Sequence, residues 1–147
     1  MTTFRAVQTA PQGTSASGNA FGVDGKATIT ANLTTSDEVV LMDLPAGARL
    51  QELLYRNGDL DTGTTLAFNL GYRSTHPNQA VTAAPTYFLS ASTAGQAAQA
   101  SWVPLTFDAI TFQEPVQIVL KPTVSATGLS GTPVISVLAK GIVVGVN

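Results

Sequence analysis

The 147-residue chain carries seven Lys and Arg against nine Asp and Glu, for a net charge of -2, and only 11% of its residues are charged. The basic residues are scattered singly from Arg5 to Lys140, which excludes the clustered cationic face that nucleic-acid binding requires. No cysteine is present, so disulfides, thiol catalysis and thiolate metal sites are excluded together.

Residues 1–22, MTTFRAVQTAPQGTSASGNAFG, are small, polar and glycine-rich and lack the apolar run of a secretory leader. No stretch of the chain reaches the apolar length needed to cross a bilayer, so a soluble protein made in the cytoplasm is expected. The isolated Phe4, Val7 and Phe21 mark residues 1–22 as an extended N-terminal arm whose few apolar side chains dock on a neighbouring subunit. Residues 23–147 are expected to form one domain.

From residue 26 the apolar period is two. KATITANL sets Ala27, Ile29, Ala31 and Leu33 on one face and Thr28, Thr30 and Asn32 on the other, which predicts a half-buried strand. SDEVVLMDL predicts a second strand, and LPAG at 44–47 a turn. ARLQELLYRNG is ambiguous, because Leu50, Leu53 and Leu54 have helical spacing. Its confinement between Gly47 and Gly58 makes an isolated helix marginal and favours a strand. TLAFNLGY alternates strictly, with Leu66, Phe68, Leu70 and Tyr72 on one face.

RSTHPNQAVTAAPT reads as loop, and YFLSASTAGQAAQASW as a long connection holding a short helix or turns, its Ala and Gln favouring helix and Gly95 opposing it. FDAITF, VQIVLKP and PVISVLAKGIVVGV predict three further strands, with a bulge at Gly141. About seven strands separated by turn signals, with at most one short helix, predict an all-β, antiparallel β-sandwich, although a sheet closed on itself would give a similar pattern.

Asp61-Thr62-Gly63 spells the active-site tripeptide of aspartic proteases, in which two aspartates share a proton. One copy would require a homodimer, and Ile142-Val143-Val144-Gly145 could supply the apolar element that threads beneath it. The lead-in Asn57-Gly58-Asp59-Leu60 is polar where that architecture needs a buried apolar strand, so no catalytic residue is assigned. Asn57, Asp59 and Asp61 alternate like oxygen ligands and offer a weak calcium site, although the glycine position and the missing glutamate do not fit an EF-hand. The same residue types suit a turn between two strands. His76 is the sole histidine and leaves no material for a His-based metal site or a Ser-His-Asp triad; no cofactor is expected. Trp102, Phe107 and Phe112 suit core packing, with an aromatic platform for sugar stacking as the alternative.

Ala and Thr occur 20 times each while Lys and Glu are scarce, a poor recipe for solvated helices and for the charges that keep sheets apart. A surface of this kind suits coverage by other subunits.

Several segments together carry a resemblance: the apolar strand before Leu44–Ala48, the connection Asp59–Leu66, the strand ending in Gly71-Tyr72, the Ala/Gly-rich Ala91–Ala100, and a Thr/Ala-rich final hairpin. The chain resembles small virion structural proteins of tailed bacteriophages over roughly residues 36–146. The resemblance implies a jelly-roll-like, non-enzymatic capsid decoration (cement) protein, commonly a homotrimer, on the surface of the phage head. Its partner would be the major capsid protein, with no nucleic acid or membrane involved. The arm and the uncharged surface would then serve broad contacts that desolvate few charges. A tail, fibre or head-to-tail component and a carbohydrate-binding β-sandwich are the alternatives.

Overall fold

The computed structural model describes residues 1–8, 20–77 and 81–144. In chain order the strands are β1 (Thr3–Arg5), β2 (Val7–Gln8), β3 (Ala20–Thr28), β4 (Glu38–Leu44), β5 (Ala48–Asn57), β6 (Ala67–Ser74), β7 (Ala84–Ser92), β8 (Gln99–Pro104), β9 (Ile110–Thr111), β10 (Val116–Val124) and β11 (Val134–Val143). They build two sheets, β1-β4-β10-β6-β7 and β2-β3-β11-β5-β8, with β9 paired to β5. Every pairing is antiparallel except β1 with β4. Consecutive longer strands change sheets except at β6 and β7, which pair with each other, so that β3-β11-β5-β8 lies against β4-β10-β6-β7, the double Greek key of a jelly roll.

The inner faces supply the core. Leu66, Phe68 and Leu70 lead into and line β6, and they meet Ile118 and Leu120 of β10, Leu53 and Tyr55 of β5, and Ile135, Val137 and Ala139 of β11 in one buried cluster. Tyr55 packs on Phe68 with ring centroids 5.9 Å apart. A second group of rings lies around Tyr72, which meets Phe112 edge-on at 4.9 Å, while Phe88 meets Phe107 at the same distance.

The ambiguous β5 segment shows why its spacing looks helical. Glu52 pairs with Lys140 but Leu50 pairs with Gly141, so Gln51 is an extra residue and the strand carries a β-bulge. The bulge turns Leu50 and Leu53, three apart, to the same interior. Gly141 is opposite it because a Cβ there would lie 2.0 Å from the Arg49 carbonyl oxygen. A second close approach seals the sandwich between β3 and β4, where a Cβ on Gly25 would lie 1.9 Å from the Leu41 oxygen.

Three segments differ from the sequence expectation. The strand expected over 26–33 begins instead at Ala20 and ends at Thr28. Phe21, Val23 and Ala27 alternate inward, but Gly25 interrupts the pattern where β4 crosses. Ile29 and Leu33 stay in the core, held by loop hydrogen bonds to Pro133 and Ala126 rather than by a ladder. The connection expected to hold a helix is largely strand, since β7 runs through Tyr87 and Phe88, and the helical part is one 3-10 turn at Ala94–Gln96. FDAITF contributes only the two residues of β9, because Phe107 is drawn into the ring cluster.

Candidate functional site

Asp61 sits at the end of the sandwich where β5 leads through a loop into β6, and its side chain is fully buried. Its Oδ1 accepts from the Gly63 N–H (3.0 Å), the Thr127 N–H (2.9 Å) and the Thr127 hydroxyl (2.8 Å). Its Oδ2 accepts from the Thr65 N–H (3.0 Å), the Thr65 hydroxyl (3.2 Å) and the Leu66 N–H (2.8 Å). Burial works to raise its pKa, but the hydrogen bonds from Leu66, Thr127 and Gly63 outweigh it and hold the carboxyl well below the usual carboxylate range. The carboxylate therefore folds its own loop into an Asx-type turn and fastens it to the loop joining β10 and β11.

That occupation leaves Asp61 no lone pair directed at a substrate water. The apolar segment Ile142-Val143 also lies elsewhere: Val143 pairs with Ala48 at one end of β5, whereas Asn57, which leads into the Asp61 loop, pairs with Ile135 at the other. Gly145 lies outside the described residues. Of the other two oxygen-bearing candidates, Asp59 accepts the Asp61 N–H at 3.2 Å. Asn57 is buried and donates its amide to the carbonyls of Gly58, Ala94 and Ala97, tying the 3-10 turn to the end of β5. Among the described residues no three His, Asp or Glu side chains gather as a metal site. His76 Nδ1 lies 3.4 Å from a carboxylate oxygen of Glu114.

The arm residues separate in their burial. Phe4 on β1 and Phe21 on β3 enter the protein's own core, at 9% and 6% exposure, while Val7 on β2 is 81% exposed. Residues 9–19 of the expected arm lie outside the described residues. The segment before them is fastened to β4. Arg5 pairs with Asp43, the Gln8 side-chain amide brackets the Asp43 backbone at 2.7 and 2.8 Å, and the Thr2 N–H donates to Asp37 at 2.8 Å. From Asp43 a polar ladder crosses the outer face of the five-stranded sheet through Gln117 to Arg73, whose guanidinium forks onto Glu38 with both contacts at 2.8 Å. Period-two reading could not find this ladder, because it joins residues 35 to 74 positions apart.

The other outer face is built differently. Across the six-stranded sheet Val7 pairs with Lys26, Lys26 with Ser136 and Ser136 with Arg56, and the Arg56 guanidinium lies 4.4 Å over the Trp102 ring. Lys26, Arg56, Asn57, Gln99 and Ser136 line an open depression of about 460 Å³ there.

No protein-family model matches the sequence, and no curated protein matches it. Two solved structures share the fold. One is a chain of the cyanophage Pam1 capsid asymmetric unit, at TM-score 0.64 and 23% identity, covering 91% of this chain and 92% of that one. The other is a chain of the capsid of Ralstonia phage GP4, at TM-score 0.62 and 24% identity, covering 88% of each chain. Both likenesses extend over about nine-tenths of this chain, and both matched chains come from phage capsids.

Proposed function

We propose that this protein is a non-enzymatic structural component of a tailed-phage virion, a decoration (cement) protein that binds the outside of the head and stabilises it by added interface. The observation that carries the reading is the fold match over about nine-tenths of the length of both this chain and a phage-capsid chain. Two features of the molecule support it. The Asp61 carboxylate, the one group with a catalytic spelling, is fully engaged in holding two loops together. The surface offers uncharged small residues and few charges, which lets broad contacts form without desolvating many ions.

Self-association as a homotrimer fits this role, because heterologous contacts around a threefold axis close into a ring that matches threefold or quasi-threefold lattice positions. The protein would be made in the host cytoplasm and reside on the capsid surface, with the major capsid protein as its partner. Antibody-labelled micrographs of virions, combined with light scattering of the purified protein, test the assignment. Label over the head and a trimer mass support it; label confined to the tail assigns the protein to a tail or fibre instead.

A further inference from the structure

We propose that the outer face of the six-stranded sheet is a docking surface for a carboxylate-bearing segment of another protein, received between Lys26 and Arg56. This deepens the virion reading and rests on it, the partner being an acidic segment of the shell protein beneath.

Charge complementarity points to that occupant. Arg5, Arg73 and Lys140 each lie within ion-pair distance of a carboxylate; of the cations that do not among the described residues, Lys26, Arg49, Arg56 and Lys121, the pair Lys26 and Arg56 meets in one depression. The two cations stand on opposite sides of Ser136 in one cross-strand row and share the lining of one depression. No Asp or Glu contributes to that lining. Ser136 adds a hydroxyl between them. Arg56 is held flat by Trp102, so its forked N–H groups are ordered before a partner arrives, which reduces the entropy lost on binding. A carboxylate side chain of the partner would meet the two cations. At the end of the row Val7 offers an exposed apolar contact beside Lys26. An Arg stacked on Trp beside an apolar rim is the composition of an interface centre.

The test uses the full chain and head particles lacking it. Wild type, Lys26→Glu, Arg56→Glu and Lys121→Glu are compared for particle binding at two salt concentrations, with melting temperature as a control for folding. Lys121 is a cation of the opposite sheet, so its reversal reports any non-specific effect of net charge. Binding at least about 30-fold weaker for Lys26→Glu and Arg56→Glu, with Lys121→Glu near wild type, is expected from the loss of a desolvated charge pair. A zero-length carboxyl-to-amine cross-link from Lys26 should identify an Asp or Glu of the shell protein. Unchanged binding by both variants, or cross-links only to a second copy of this chain, overturns the inference while leaving the virion reading intact. Failure of wild type to bind at all removes both.

Discussion

Thr127 donates both its N–H, at 2.9 Å, and its hydroxyl, at 2.8 Å, to one oxygen of Asp61, a residue 66 positions away in the chain. The other oxygen closes the local turn through Thr65 and Leu66. A tripeptide that reads as a catalytic signature is thereby the clamp between the β5–β6 and β10–β11 loops. Asp61→Asn keeps the shape but turns an amide N–H₂ toward one set of donors. Chemical denaturation at neutral pH should show a loss of about 2–4 kcal/mol, the scale for a charged, multiply hydrogen-bonded acceptor.

The same residue sets an acid dependence. Its folded pKa lies below its unfolded value, so its stabilisation is complete above the unfolded value of about 4 and falls as pH drops toward the folded one. The stability difference between wild type and Asp61→Asn should therefore be constant from about pH 5 to 7 and shrink below about pH 4. Denaturation midpoints of both proteins from pH 3 to 7 measure this directly; a difference that grows on acidification would contradict it.

Phe4 and Val7 are three residues apart, yet one is in the core and the other faces outward. Phe4→Ala should cost about 2–4 kcal/mol, whereas Val7→Ala should leave the melting temperature within about 1 °C. The concentration dependence of melting should be the same for Phe4→Ala as for wild type if β1 is held within its own chain. A concentration-dependent loss would show that β1 is exchanged between copies.

Much of the fold was legible because jelly-roll strands are half-buried and alternate, as Leu66, Phe68, Leu70 and Tyr72 do without interruption. What escaped the period was geometry set by neighbours. The bulge at Gln51 gave Leu50 and Leu53 a helical spacing, and Gly25 occupies an inward position that only the approach of Leu41 explains. The clamp was half visible, since an Asp before Thr-Gly in a turn-rich segment suggests local capping, but Thr127 lies too far along the chain to be read as its partner. The Lys26, Ser136 and Arg56 row left no sequence signal, because three strands from distant segments contribute one residue each.

Gly25 and Tyr55 give opposite expectations for small changes. Gly25→Ala places a methyl group against the Leu41 carbonyl, a backbone atom that yields only if β4 moves, and should cost about 2–3 kcal/mol. Tyr55→Phe removes a buried hydroxyl that has no partner among the described residues, and should leave stability unchanged or raise it by about 1 kcal/mol. Thermal melts of the two variants beside wild type suffice, and a loss above about 1 kcal/mol for Tyr55→Phe would reveal a bridging water.

The central claim is that the protein stabilises a phage head by binding its outer surface. The most direct measurement is the temperature, or chelator concentration, at which heads release their DNA, with the protein present and with it absent. Because a ligand of the assembled lattice alone shifts its stability by mass action, heads carrying the protein should release DNA at a higher temperature and a higher chelator concentration. Identical release curves for decorated and bare heads would contradict the claim.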